Sequence, residues 1–164
     1  MFSLRDAKLS DLEQITQIYN FAVEHTTAIW NDHKADIKNR QIWFEDRQKQ
    51  NYPVLVSVDD HGLVLGFASF ADWRAFDGYR HTVEHSVYVD HNHYKKGIAT
   101  ALVRELMARA RDLQKHVMIA AIESSNHSSV KLHEKLGFEK AGTLKEVGTK
   151  FDRWLDLTFM QKFL

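Results

Sequence analysis

The sequence lacks cysteine altogether, contains a single proline, and carries no excess of charge of either sign. Without cysteine, the chain can form no disulfide, no thiolate metal site and no cysteine nucleophile. Lys plus Arg and Asp plus Glu both number 22, so the formal net charge is zero. A protein with this balance is not expected to bind nucleic acid, whose phosphates select strongly basic surfaces.

Long apolar runs are also missing. No run approaches the roughly 20 residues that a membrane-spanning helix needs, so we expect no membrane partner. The first residues, Met1–Asp6, lack the basic-then-apolar order of a signal peptide, and a cytoplasmic location is the expectation. With 164 residues, 44% of them hydrophobic, and no repeat or linker, the sequence predicts a single domain over residues 1–164.

Apolar periodicity and turn residues predict a mixture of helices and strands. A capping box at Ser10–Glu13 is expected to start the first helix, and a second helix is expected to start near Asp36. Pro53 stands before an apolar strand, and Asp59–Gly62 is the expected turn of a hairpin. The continuous apolar run Val117–Ile122 is typical of a strand buried on both faces. The order of these elements predicts an α+β fold.

The most informative motif is a glycine turn between a strand and a helix. The expected strand Thr82–Val89 is followed by Tyr94–Thr100, in which Gly97 stands two positions before the small residue Ala99. Such a turn leaves backbone N–H groups free at the start of the next helix, where phosphate groups bind. An ordinary strand-to-helix turn is the alternative, and the motif alone does not decide between the two.

These elements and motifs resemble the GNAT superfamily of N-acetyltransferases, whose phosphate loop usually reads Gln/Arg-x-x-Gly-x-Gly/Ala. Tyr94 departs from the first position of that loop, which loses a polar side chain but keeps the backbone geometry. Within the superfamily, the sequence is most similar to the phosphinothricin and methionine sulfoximine/sulfone N-acetyltransferases. The resemblance covers nearly the whole chain and rests on the blocks Thr27–Asn31, Tyr52–Val56, Ala68–Arg74, Thr82–Val89 and Gly148–Trp154.

The resemblance implies a mixed, twisted and mostly antiparallel sheet flanked by helices, with acetyl-CoA as the acetyl donor. It also implies a homodimer, an acceptor that is a small amino acid or analogue, and a role in detoxification or herbicide resistance. No metal is expected, because the two histidines of His91–His93 have no third ligand nearby in the sequence.

The family's cofactor contacts match three groups of residues in this sequence. The backbone of Val87, Tyr88 and Val89 would pair with the pantetheine amides as if the cofactor were an added strand. The two lysines of the glycine turn would add positive charge to its N–H groups. For Lys135, the alternative is a position on a solvated helix face. The full cofactor set is Val87, Tyr88, Val89, Lys95, Lys96, Gly97, Ile98, Ala99, Thr100, Asn126 and Lys135.

Glu84 matches the family's general base. The reaction needs a base because a protonated amine has no lone pair with which to attack. A structural ion-pair partner is the alternative role for this glutamate. Because neighbouring residues of a strand point to opposite faces, only one of Glu84 and His85 is expected to face the acceptor amine.

His133 is the candidate acid. Many relatives carry a tyrosine seven residues after the asparagine of this helix, and Asn126 plus seven is His133. Two helical turns keep these residues on one face. An imidazolium at His133 could protonate the departing CoA thiolate, and packing against the cofactor is the alternative.

The resemblance also assigns residues to the acceptor. Arg74 could hold an α-carboxylate through two hydrogen bonds, and Arg80 is a second candidate. Trp30 and Phe151 would wall the side-chain pocket, although aromatic residues are more often ordinary core. The full acceptor set is Trp30, Arg74, Ala75, Phe76, Arg80, Glu84, His85, Ser86 and Phe151.

The sequence therefore favours an amino-acid N-acetyltransferase that transfers the acetyl group directly. A polyamine, an aminoglycoside or a protein N-terminus stays open as the acceptor, although a polycation would call for an acidic pocket rather than two arginines. A non-catalytic acyl-CoA-binding module would keep the loop but would not need Glu84. A P-loop phosphotransferase is disfavoured because Gly-x-x-x-x-Gly-Lys-Ser/Thr is absent.

Overall fold

The computed structural model describes all residues, 1–164, as one seven-stranded sheet with four α-helices and three short 3₁₀ turns. This mixture confirms the predicted α+β class. The strands are β1 (Phe2–Asp6), β2 (Val54–Asp59), β3 (Val64–Asp72), β4 (Thr82–Val89), β5 (Val117–Glu123), β6 (Glu139–Lys150) and β7 (Arg153–Phe163). The helices are α1 (Leu12–His25), α2 (Ile37–Lys49), α3 (Ile98–Asp112) and α4 (His127–Lys135).

The strands lie in the order β1-β2-β3-β4-β5-β7-β6. Every neighbouring pair is antiparallel except β4 and β5, which are parallel and are joined through α3. The mixed, mostly antiparallel sheet implied by the resemblance is thereby confirmed. The single parallel pair places the ends of β4 and β5 at the same edge of the sheet, next to the start of α3.

Helices cover both faces of the sheet, and alternation along the strands sends side chains to each side. Leu55 on β2 packs in the same cluster as Leu102 and Leu106 of α3. Its neighbours on β2 pack in a second cluster with α1 and α2, which includes Ile15 and Phe44. The sheet is therefore the middle layer between α3 on one face and α1 with α2 on the other.

The predicted capping box at the start of α1 is wrong. A 3₁₀ turn at Leu9–Asp11 precedes the helix, and no side chain caps α1. The buried carboxylate of Asp11 instead accepts a hydrogen bond from the backbone N–H of Lys8, at 2.8 Å, and two from the Arg5 guanidinium, at 2.7 and 2.9 Å. Asp11 therefore caps the 3₁₀ turn and pairs with Arg5 of β1, whereas the side chains of Ser10 and Glu13 form no capping bond.

No helix in the structure is both long and apolar enough to cross a membrane. The cytoplasmic location and the absence of a nucleic acid partner stay predictions.

Candidate active site

The strands β4 and β5 separate part of the way along their length. They pair only where Thr82–Glu84 faces Val117–Ile119, whereas β4 continues to Val89 and β5 to Glu123. Beyond those pairs, the facing backbone N–H and C=O groups of the two strands have no strand partner. The gap forms a cavity of about 280 Å³ whose lining includes side chains from β4, β5 and α4.

A larger cavity of about 550 Å³ lies at the other end of the molecule, between the ends of β1, α2 and α3. Its lining includes the ion pair of Asp6 with Arg109, whose charges already neutralise each other. The gap between β4 and β5 is the better candidate because its lining includes Glu84, His85 and His133, whose pKa values are all shifted.

Glu84 is half-buried on β4 and lines the cavity between the strands. Burial raises the pKa of its carboxyl group, and the positive charge of Arg74 opposes that rise. Glu84 forms neither a salt bridge nor a side-chain hydrogen bond. A structural ion-pair partner would need such a direct contact, so this geometry disfavours that alternative role. The carboxylate is therefore free to accept a proton, and its raised pKa moves it towards the range that suits a general base.

His85 and Glu84 alternate on β4, so their side chains leave the strand on opposite faces. His85 is 7% exposed and packs against His133 of α4, with 3.0 Å between the two Nε2 atoms. His133 is itself buried, and its Nδ1 lies 2.7 Å from the carbonyl oxygen of Ser129. The two imidazole rings therefore form a buried pair beside the cavity.

The hydrogen bonds of this pair assign its protons. A carbonyl only accepts, so Nδ1 of His133 carries the proton and its Nε2 accepts from Nε2–H of His85. The Nδ1 atom of His85 is then a lone-pair acceptor, and it is buried without a partner. Burial and the neighbouring His133 lower the pKa of His85 to about 3, and burial also lowers the pKa of His133. Both rings are neutral at neutral pH, which disfavours an imidazolium acid at His133; its catalytic role stays a prediction.

The glycine turn lies between β4 and α3, where the motif predicts a turn. Gly97 has a φ of +81° and precedes α3 as its N-cap, with no side-chain cap. Ala101 is the first residue whose N–H bonds back to this turn, at 3.0 Å from the Gly97 carbonyl oxygen. The N–H groups of Ile98, Ala99 and Thr100 therefore lack intrahelical partners and form the positive end of the helix dipole. The exposed side chains of Lys95 and Lys96 are the nearest added charges along the chain.

Asn126 and Lys135 differ in their positions. Asn126 caps α4 and lines the cavity, and its Oδ1 accepts from the N–H of Ser129 at 3.1 Å. Its amide N–H₂ group forms no side-chain hydrogen bond within the protein and can bind a ligand. Lys135 is exposed in the last turn of α4 and does not line the cavity, so its predicted contact with the cofactor gains no support from this geometry.

The loop between β3 and β4 carries the predicted acceptor residues Arg74, Ala75, Phe76 and Arg80, all of which are exposed. The charge of Arg74 acts on Glu84, whereas Arg80 donates a hydrogen bond to the carbonyl of Asp77 within the loop, at 2.7 Å. None of the four lines the cavity. The two arginines are thus not equivalent, and Arg74 is the one placed to act at the base.

Trp30 lines the cavity, but Phe151 does not. Phe151 lies in the turn between β6 and β7, with a φ of +52° and half of its surface exposed. Several wall residues were missed from the sequence, and all but Glu123 and Ser129 are small or apolar residues that carry no chemical signal of their own. Apart from predicted residues, the lining comprises Ala28, Ala120, Ala121, Ile122, Glu123, Ser129 and Leu157.

Comparison with known proteins identifies the family. Residues 15–138 match the model of the Acetyltransferase (GNAT) family. The chain is 55% identical over 159 residues to the L-methionine sulfoximine/L-methionine sulfone acetyltransferase of Pseudomonas aeruginosa, covering 97% of this chain and 92% of that protein. It is 32% identical to the phosphinothricin N-acetyltransferase of Streptomyces viridochromogenes, covering 97% and 86% of the two chains.

A solved structure shares the fold closely. The putative acetyltransferase yncA of Salmonella typhimurium, determined with its cofactor acetyl-CoA, superposes with a TM-score of 0.96 and 53% identity, over 99% of this chain and 94% of that chain. Residues 15–138, which match the family model, contain β4 and β5 where they separate, the glycine turn, and α4 up to the start of β6. On sequence and structure together, this chain belongs to the GNAT family and is an acetyltransferase.

Proposed function

We propose that this protein transfers the acetyl group of acetyl-CoA to the α-amino group of a small amino acid or analogue, with Glu84 as the general base. Methionine sulfone, methionine sulfoximine and phosphinothricin are the proposed acceptors. The observation that carries the proposal is a half-buried glutamate without an ion-pair partner at the point where β4 and β5 separate. Any part in detoxification or herbicide resistance depends on which of these acceptors is used.

The residues at this point fit acetyl-CoA. The unpaired edge of β4, at Val87–Val89, offers N–H and C=O groups to the pantetheine amides, and the free N–H groups at the start of α3 suit a pyrophosphate. Asn126 adds an amide donor in the wall of the cavity. Acetyl-CoA, when bound, supplies the acetyl group as a thioester.

The chain's own residues then bind the reactants and move one proton. Glu84 takes a proton from the acceptor ammonium, which frees the nitrogen lone pair for attack on the thioester carbon. The new bond joins nitrogen to the acetyl carbon, the bond from that carbon to sulfur breaks, and CoA leaves as a thiolate. The nitrogen then loses its second proton as it becomes an amide, and protonation of the thiolate gives free CoA. A backbone N–H of β4 near Val87 would stabilise the charge that develops on the carbonyl oxygen.

Arg74 supports an acceptor with a carboxylate. Its charge lies close enough to lower the pKa of Glu84, so an anionic group held by Arg74 would place the amine of an α-amino acid beside the base. A polyamine or an aminoglycoside would bring further positive charge towards this arginine. A protein N-terminus stays a second candidate acceptor, since it too presents an α-amine.

The test is a screen of CoA release with the purified protein across amino acids, polyamines, aminoglycosides and N-terminal peptides. We expect turnover with methionine sulfone, methionine sulfoximine or phosphinothricin and little turnover with the polycations. Turnover confined to peptides or polyamines would contradict the proposed acceptor class, and no turnover with any amine would contradict the proposed activity.

Replacing Arg74 with alanine should raise the KM for the amino-acid acceptor about tenfold and leave the KM for acetyl-CoA unchanged. The lost charge-assisted contact is worth roughly 1.5 kcal/mol, the lower end of the usual range because this side chain is exposed. Loss of the arginine charge should also raise the pKa of Glu84 further. The acid limb of the pH profile of kcat/KM should therefore move to higher pH.

Steady-state kinetics over a pH series measure both effects. Arg80→Ala is the matched control, because it removes an arginine from the same loop whose guanidinium is bound to Asp77. If the acceptor KM rises in the Arg80 variant instead, the carboxylate contact belongs to Arg80.

We further propose a homodimer formed through β6 and β7. β6 is an edge strand of the sheet, and the two strands expose Leu144, Val147 and Trp154, the last of which is 68% exposed. Exposed apolar residues clustered at an edge strand are typical of an interface. Light scattering at micromolar concentration should give twice the 19.1 kDa mass of one chain. A mass of one chain would contradict this proposal.

A further inference from the structure

The loop between α1 and α2 supplies one wall of the cavity and is fastened at several points. Ala28 and Trp30 of this loop line the cavity together with Glu84. Within the loop, Nε1–H of Trp30 donates to the carbonyl oxygen of Thr27, at 2.8 Å. The indole thus has a fixed orientation relative to its own loop. Residues at the ends of β5 and β6 hold the loop on the sheet.

Glu123, at the end of β5, holds the first part of the loop. Its carboxylate accepts a hydrogen bond from the Thr27 hydroxyl at 3.1 Å, and it also accepts from the N–H and hydroxyl of Ser125. Burial alone would raise the pKa of Glu123, but the hydrogen bonds from Ser125 and Thr27 outweigh burial and lower it. The carboxylate therefore stays ionised, and a charged acceptor anchors Thr27.

Lys150, the last residue of β6, holds the second part. Its side chain is 4% exposed, and its ammonium donates to the backbone carbonyls of Val23 and Ile29. Val23 lies in the last turn of α1, where the helix dipole favours a cation, and Ile29 directly precedes Trp30. No acidic side chain forms a salt bridge with Lys150. A buried cation without an acidic partner is costly, and these two carbonyls, with the Phe151 ring centroid 5.0 Å from the ammonium, offset that cost.

Gly148 lies directly under the indole. A Cβ atom built at this position would lie 2.2 Å from both Cε3 and Cζ3 of Trp30, much closer than atoms can approach. The φ of Gly148 is not positive, so close packing and not backbone freedom requires glycine here. A side chain at position 148 cannot be accommodated with the indole where it lies, and because the indole lines the cavity, a shift of the indole changes the shape of that cavity.

We propose that Gly148 and Lys150 are positioning residues that fix Trp30 as the wall of the acceptor pocket and thereby limit the size of the acceptor side chain. Gly148 sets how far the indole stands back from the cavity, and Lys150 keeps the loop on the sheet. The proposed cofactor contacts on β4 and α3 do not include Trp30, Gly148 or Lys150. The inference rests on the proposed acceptor class, and it adds which residues select among its members.

The test compares Gly148→Ala with wild type on methionine sulfone and on S-methylcysteine sulfone, which is one methylene shorter. We expect the KM for methionine sulfone to rise about tenfold, the rise for the shorter acceptor to be smaller, and the KM for acetyl-CoA to change less than about twofold. Trp30→Phe should suppress the effect in the double variant, because a smaller ring clears the added methyl group.

Lys150→Met supplies a second measurement, with Lys140→Met as the control from an exposed position on the same strand. Lys150→Met should raise the acceptor KM in the wild type and have little further effect once Trp30 is replaced by alanine. If Lys150→Met does not fold, the cycle of Gly148 and Trp30 decides alone.

Additive effects of Gly148→Ala and Trp30→Phe, or an equal loss of affinity for acceptor and acetyl-CoA, would overturn the inference while leaving the proposed function standing. A wild-type protein that acetylates no amino acid would overturn the proposed function and this inference together. Wild-type turnover is therefore measured first, so that the two failures are distinguishable.

Discussion

Replacing Glu84 with glutamine should lower turnover by roughly 10² to 10⁴, the range expected for loss of a general base, with little change in acetyl-CoA affinity. Glutamine keeps the size of the side chain and removes its ability to take a proton. In the wild type, activity should rise with pH as Glu84 loses its proton, and because burial raises the pKa of this carboxyl group, the rise should lie at higher pH than for an exposed glutamate. In the variant, the part of the rise that is due to Glu84 should disappear.

The residual rate of the variant should still increase with pH. A higher pH raises the fraction of the acceptor present as free amine, which partly replaces the missing base. Stopped assays of CoA release from about pH 6 to 10 measure this profile. The slope distinguishes a lost base from a damaged site, since a damaged site gives a low rate at every pH.

Glu84→Asp is the matched control, because it keeps a carboxylate and shortens its reach by one methylene. It should retain more activity than Glu84→Gln. Near-wild-type turnover of Glu84→Gln at neutral pH would place the base elsewhere, with His85 or an ordered water as the next candidates. Because the pKa of His85 lies at about 3, a histidine base would need that ring to change its surroundings on binding.

The second large effect is expected at the glycine turn. Acetyl-CoA at a hundredfold excess over its Kd should stabilise the wild-type fold by about 2.7 kcal/mol, through mass action. Gly97→Val should remove most of this stabilisation. A β-branched side chain is strained at the φ of +81° seen here, so the turn is expected to rearrange and move the N–H groups at the start of α3.

Gly62→Val provides a control with the same local strain. Gly62 has a φ of +83° in the turn between β2 and β3, and an added Cβ would meet no atom within 4 Å at either glycine. Both variants should lose intrinsic stability, but only Gly97→Val should lose the shift caused by acetyl-CoA. Thermal or chemical unfolding with and without acetyl-CoA measures both. An unchanged shift in Gly97→Val would contradict the assignment of the phosphate turn.

Local patterns predicted most of the secondary structure. The strand expected at Thr82–Val89 matches β4 at both ends, and the turn at Asp59–Gly62 joins β2 and β3 as expected. These elements depend on alternating apolar residues and on turn residues that act over a few positions. The capping box at Ser10–Glu13 failed because Leu9–Asp11 forms a 3₁₀ turn, which places Ser10 within that turn and not at the cap of α1.

The family resemblance predicted the region of the site, but not its internal contacts. Glu84, His85 and His133 were all named, yet nothing in the sequence brings residues 85 and 133 to within 3.0 Å. Lys150 is a stronger example, because a charged residue next to a turn is expected at the surface. It is buried because α1 and the following loop place two carbonyl oxygens within its reach.

The sequence by itself determined the order of the elements, the position of the glycine turn and the family of the chain. Each of these follows from residues that are close along the chain or from blocks that match as a whole. Only the tertiary structure decided where β4 and β5 separate, which side of the sheet each site residue faces, and which groups bind the buried charge of Lys150. Those features depend on strand pairing and packing between residues far apart in sequence, whose energies no local pattern encodes.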